Sequence, residues 1–162
     1  MIAPALARSA YIVPAMINIQ RYSLNAERLL MGTAAIESNF VNFVQFSGGP
    51  ARGLFQMEQI TYSDIVDRYL SISTQHALRN AAFSMALASP PTFIELSVNH
   101  LFAAALARIK YAMIPVPIPG TLAGHAAYWS KYYNGQSPNG LSPDDYLSRW
   151  QTYCAPLYPD FQ

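Results

Sequence analysis

Charge is scarce in this 162-residue chain. Asp, Glu, Lys and Arg make up 12% of it, about half the usual share, and the net charge is +1 with no long basic run. A nucleic-acid-binding surface has no electrostatic footprint here, so no nucleic-acid partner is expected. Cys154 is the only cysteine, which excludes an intrachain disulfide and a Cys-based metal cluster. His76, His100 and His125 are far apart and form no H-E-x-x-H pair, so no metal site is expected. No G-x-S-x-G elbow supports a Ser-His-Asp triad. The apolar stretch from Leu101 to Ile118 is broken by Arg108, Lys110 and the prolines from Pro115 onward, so membrane insertion is not expected. Strand-like alternation is also rare; the best candidate is a short irregular hairpin over Phe40 to Phe46.

What the chain does contain is apolar residues, 52% of the total, and a succession of helix signals. The length fits one domain spanning residues 1–162 with a substantial core. Residues 1–20 lack a basic segment ahead of their apolar stretch and carry Pro4 and Pro14, so they read as an N-terminal helix or arm and not as a signal peptide. Asn25 is a candidate cap for a helix from Ala26 to about Ser38, with Glu27 in its first turn. Ser47-Gly48-Gly49-Pro50 marks a loop, and helices are predicted from about Met57 to Leu70 and, with Thr74 as cap, from Gln75 to Ala88. Thr92-Phe93-Ile94-Glu95 has the form of a capping box opening the longest helix, to about Met113. A stiff connector rich in proline (Pro115 to Pro119) precedes a helix from Thr121 to Asn134, and Ser142-Pro143-Asp144-Asp145 starts the last one, to about Tyr153. The expected fold class is therefore mostly α.

Glu37 is the leading candidate for chemistry. Its neighbours Ala34, Ala35, Ile36 and Phe40 make an apolar setting, and it lies near a helix C-terminus, where the dipole disfavours a negative charge. Both features raise a carboxyl pKa, and cleavage of a glycosidic bond needs a carboxylic acid still protonated near neutral pH.

Three segments around and after this residue resemble a known family. Glu37-Ser38-Asn39-Phe40, Gly53-Leu54-Phe55-Gln56-Met57 and Tyr132-Tyr133-Asn134-Gly135 resemble, in order, the motifs of the lytic transglycosylases and goose-type lysozymes, with a look of the phage-borne members. The resemblance covers roughly Leu29 to Tyr133. It implies a lysozyme-like, two-lobed helical domain that cuts the β-1,4 bond between N-acetylmuramic acid and N-acetylglucosamine in a peptidoglycan strand, without a cofactor. It implies Glu37 as the catalytic acid and base, and Ser38, Gly53, Gln56, Tyr133 and Asn134 as substrate-binding residues. Ser38 would help a hydrogen bond near the sugar, and Gly53 would turn the backbone into the groove. Gln56 would point at the sugar, Tyr133 would bond to or pack on Glu37, and Asn134 would line the same wall. Among the aromatic residues, Trp129 and Tyr132 are candidates for stacking on sugar rings, and Arg52 is a candidate for meeting carboxylates of wall peptides.

One departure bears on the mechanism. A hydrolase of the inverting kind needs a second carboxylate about 6.5–9.5 Å from the first. Between Phe40 and Met57 the chain has no Asp or Glu, and Glu58, the nearest afterwards, is either a first-turn residue or that second carboxylate. Transglycosylation needs only one carboxylate, but a hydrolytic muramidase of the same fold stays open. So does a structural phage tail or virion protein, whose proline-rich ends would be contact arms on other virion proteins. For any of these, synthesis in the host cytoplasm and action on the cell wall, or carriage in a virion, is the expectation.

Overall fold

The computed structural model describes residues 1–44, 49–135 and 140–161. Gln45 and Phe46 of the expected hairpin, and Ser47 and Gly48 of the expected loop, lie outside the described residues. The architecture is mostly helical, as the turn signals predict. Among the described residues the only pairing is a pair of isolated antiparallel bridges, Val44 to Arg52 and Arg52 to Met57. No helix among them is long and apolar enough to cross a membrane.

Helix α1 comprises Pro4–Leu6, a wider π-helical segment over Ala7–Ile12, and Val13–Asn18. Pro14 has no N–H to donate, and the widened turn precedes it. Ala7, Ile12, Ala15 and Met16 are buried, and near the other terminus Tyr158 and Phe161 are too, so the ends pack into the core instead of forming arms. Helix α2 spans Leu24–Ser38, and its cap is Ser23, whose hydroxyl accepts from the Ala26 amide, in place of the expected Asn25. The cap moves because the first helical turn begins two residues earlier than expected. Glu27 does lie in the first turn, but fully buried, where it accepts from Arg8 (2.6 Å), Tyr158 (2.7 Å) and Tyr22 (2.8 Å). That cluster joins α1, α2 and the C-terminal segment.

Helix α3 runs over Gln59–Ser63 and, as a π-helical segment, Asp64–Tyr69; helix α4 runs over Ser73–Gln75 as a 3-10 turn and then His76–Phe83, stopping short of Ala88. The Thr92 capping box forms, but it opens only a 3-10 turn, Phe93–Ser97. The chain then breaks, and helix α5 starts afresh at His100–Ala112. Asn99 causes the break: its side-chain Oδ1 accepts from the Phe102 amide, and its side-chain N–H groups donate to the Met85 carbonyl and the Glu95 carboxylate. A side chain that caps a new helix competes with continuation of the old one. Helix α6 spans Leu122–Tyr132 with Thr121 as cap, and α7 spans Pro143–Tyr153 behind the expected start at Ser142, which forms a capping box with Asp145. A last 3-10 turn covers Ala155–Leu157.

Helix α5 is the central element. Phe102, Ala103, Ala104, Ala105, Leu106, Ala107 and Ile109 are all buried, and its small residues let neighbouring helices approach closely. Burial of Phe102 alone contributes on the order of 2–3 kcal/mol. Helix α2 packs against α7 with even less clearance: a Cβ on Gly32 would lie 1.9 Å from the Tyr146 hydroxyl oxygen. That contact fixes where the end of α2 emerges.

Candidate active site

The end of α2 carries Glu37. The helix stops because Asn39 (φ 52°) and then Phe40 (φ 57°) take left-handed backbone conformations, and Phe40 is fully buried. Successive left-handed non-glycine residues are strained by about 1–2 kcal/mol each and persist where packing over-determines them. The next strained residue is Gln56 (φ 42°). It belongs to a closed turn in which Arg52 and Met57 exchange both backbone hydrogen bonds at 2.9 Å. Gly53 (φ 80°) begins this turn and is irreplaceable on two counts, since a Cβ there would also lie 2.4 Å from the Leu96 carbonyl oxygen. Gln56 thus sits in a turn and not at the start of a helix. Three of the four non-glycine residues with positive φ among those described, Asn39, Phe40 and Gln56, frame one place.

Glu37 opens there onto two adjoining cavities of about 250 and 350 Å³ that share Glu37, Gln56, Glu58 and Asn134. Thr61, Lys110 and Tyr133 line the first; Asn42, Ala51 and Leu141 line the second. Thr61 and Lys110 also line a third cavity of about 430 Å³, walled by Ile60, Ile65, Met113, Ile114 and Tyr132. The three form one groove with Glu37 between a polar arm and an apolar arm.

Among the described residues one hydrogen bond holds the carboxyl of Glu37: the Trp129 indole N–H donates to its Oε1 at 2.9 Å. Burial pushes the Glu37 pKa from 4.5 up to about 7. The Trp129 bond and the charge of Lys110 oppose that rise, and the charge of Glu58 adds to it. Lys110 is half-buried, with its ammonium 3.6 Å from the centre of the Tyr133 ring and donating to the Tyr133 carbonyl at 3.1 Å. Burial pulls its pKa down from 10.5 to about 8, although Glu37 and Glu58 favour its charged form. The groove therefore holds an acid and an amine that both change charge within a unit or so of neutral pH.

Gln56, Glu58, Tyr133 and Asn134 line one cavity with Glu37. Their contacts differ from expectation. Tyr133 donates its hydroxyl proton to the Phe55 carbonyl (2.8 Å) and not to Glu37. Asn134 donates to the Leu141 carbonyl (2.9 Å), and Gln56 donates to the carbonyls of Asn42 (2.8 Å) and Gly53 (2.9 Å). Ser38 is fully buried; its hydroxyl donates to the Ala34 carbonyl and accepts from the Phe40 amide, so it shapes the end of α2 and does not line the groove. Gly53 likewise acts through the backbone. Arg52 is spent on the carbonyls of Gly49 and Ala51. Trp129 is fully buried and offers no stacking face; Tyr132 is half-buried and does line the apolar arm.

Sequence reasoning missed Lys110 altogether and gave Trp129 the wrong task. Their one sequence signal is placement: a lysine within the apolar run of α5, and a tryptophan four residues ahead of Tyr133. No cluster of three or more His, Cys, Asp or Glu side chains with metal-binding geometry occurs among the described residues. Fold and site define a mostly helical protein with one buried, hydrogen-bonded carboxyl group opening onto a groove. No protein-family model, curated protein or solved structure matches the chain.

Proposed function

We propose that this protein cleaves peptidoglycan as a lytic transglycosylase, in a lysozyme-like domain whose two lobes flank the groove at Glu37. The observation that carries this reading is the Glu37 carboxyl, raised to about 7 and fixed by Trp129 on the wall of the groove. A carboxyl with that pKa is protonated and yet a competent base near neutral pH, and single-carboxylate chemistry needs both forms.

In this mechanism the protonated Glu37 gives its proton to the glycosidic oxygen as the bond from C1 of the muramic acid residue breaks. The N-acetylglucosamine side leaves as an alcohol. The 2-acetamido group of the muramic acid shields the developing charge at C1. The Glu37 carboxylate then takes the proton of the C6 hydroxyl while that oxygen bonds to C1. The product is a 1,6-anhydro sugar, Glu37 is protonated again, and no water is consumed. Trp129 orients one carboxyl oxygen and leaves the other for substrate. Lys110 stabilises the carboxylate between the two steps.

Hydrolysis remains a second reading because Glu58 lines both cavities with Glu37 and its charge reaches it. Mass spectrometry of fragments released from purified peptidoglycan separates the two. Fragments ending in 1,6-anhydro-muramic acid are expected; reducing muramic acid ends would instead assign water activation to Glu58. Glu37→Gln should lose activity by about 10³-fold with its helical content intact. Absence of fragments from folded wild-type protein would overturn both readings and favour a structural virion component.

A further inference from the structure

Beyond the apolar arm, Ile114 is also part of the wall of a separate cavity of about 380 Å³. Two arginines meet there, Arg21 from the segment after α1 and Arg108 from α5. The Arg108 Nε–H donates to the Arg21 carbonyl at 2.8 Å, and Arg21 Nη1 donates to the Gln20 carbonyl at 3.1 Å. No carboxylate lines the cavity among the described residues. Arg108 is half-buried, and burial followed by the repulsive charge of Arg21 lowers its pKa. A half-buried guanidinium group is ordinarily paired with an acid; here Arg108, with the exposed Arg21 beside it, faces the cavity with only carbonyl partners among the described residues, and the remaining N–H groups of both can donate to an anion's oxygens. Ser23 and Asn25 add polar groups at the rim, and Val116 and Ile118 add an apolar wall.

We infer that the Arg21–Arg108 cavity binds the terminal carboxylate of a short peptide whose last residue carries a small aliphatic side chain. A guanidinium pair matches the carboxylate, and the wall of Val116 and Ile118 matches the aliphatic group. This inference deepens the peptidoglycan reading and rests on it. In that reading the peptide branches off a glycan strand lying across Glu37, and Ile114 lines both this cavity and the apolar arm of the groove.

The test is a titration of the ¹⁵N-labelled full chain, following the Arg Nε–H signals, with three probes: N-acetyl-D-alanyl-D-alanine, its C-terminal amide and inorganic phosphate. The free acid is expected to saturate and the amide to bind at least about tenfold more weakly. Arg21→Gln, at an exposed position, should weaken the acid about tenfold. Arg108→Lys, which keeps the charge but not the fork, should weaken it as well. Equal binding of acid and amide, no saturable binding, or binding unchanged by Arg21→Gln would overturn the inference. Phosphate binding more tightly than the peptide acid would overturn the peptide assignment. Binding is read without glycan cleavage, so the outcomes separate. Peptide binding by a protein that cuts no glycan would support the cavity and end the cleavage reading. Glycan cleavage without peptide binding would do the reverse.

Discussion

Trp129 and Glu37 are 92 residues apart in the chain and share one hydrogen bond of 2.9 Å, from the last turns of α6 to the last turn of α2. The bond works against the burial that raises the carboxyl pKa, so the acid strength of Glu37 is set by how two helix ends meet.

The pH dependence of kcat/KM should report this balance. Activity needing a protonated Glu37 falls tenfold per pH unit above about 7, the value burial gives the carboxyl. Lys110→Met removes a charge that favours the carboxylate, so the falling limb should move to higher pH by about half a unit. Glu58→Gln removes a charge that disfavours it, and the limb should move the other way by a similar amount. Limbs that stay fixed in both variants would refute the through-space coupling.

Stability should share this preference for the protonated form. A carboxyl whose folded pKa is raised from 4.5 to about 7 lends most support to the fold below pH 4.5, and that support is lost as pH climbs to 7. Glu37→Gln should therefore match wild type at pH 4 and exceed it above pH 7, by up to about 3 kcal/mol in denaturant unfolding. Equal stability at pH 8 would mean that the carboxyl is not desolvated.

Glu27 should behave in the reverse sense. Burial would raise its pKa, but hydrogen bonds from Tyr158, Arg8 and Tyr22 together lower it below 4.5. Its stabilisation is present above pH 4.5 and is lost as pH falls through the lowered value. Glu27→Gln should cost about 1.5–3 kcal/mol at pH 7, and the gap to wild type should close in acid. The free energy of unfolding measured from pH 3 to 7 checks both ends.

Gly53→Ala should cost more than about 2 kcal/mol, because φ of 80° and a Cβ 2.4 Å from a backbone oxygen cannot be relieved by a side-chain rotation. A drop in Tm accompanied by loss of activity is expected. An unchanged Tm would show that the turn holding Gln56 can open.

Local signals were legible where they act locally. The helix start at Ser142-Pro143-Asp144-Asp145 was read correctly because it needs only four residues, and the start at Thr121 was placed within one residue. The Thr92 box was also real, yet the turn it opens ends at Ser97 and a new helix starts behind Asn99, whose competing cap draws on Met85, fourteen residues away. At the site, Glu37, Gln56 and Tyr133 could be named from three short segments. Ser38 could not be assigned to the groove on adjacency, because consecutive helical residues point about 100° apart and Ser38 turns inward. Lys110 and Trp129 reach Glu37 only through the packing of α5 and α6 on α2, which no local pattern encodes.

The chain contains just two lysines, Lys110 and Lys131, and the first forms part of the wall beside Glu37. With a pKa near 8, a sizeable fraction of the Lys110 amine is unprotonated and nucleophilic in mildly alkaline buffer. An acylating reagent thus becomes an occupancy gauge: whatever fills the groove shields Lys110, and the exposed Lys131 serves as the internal standard.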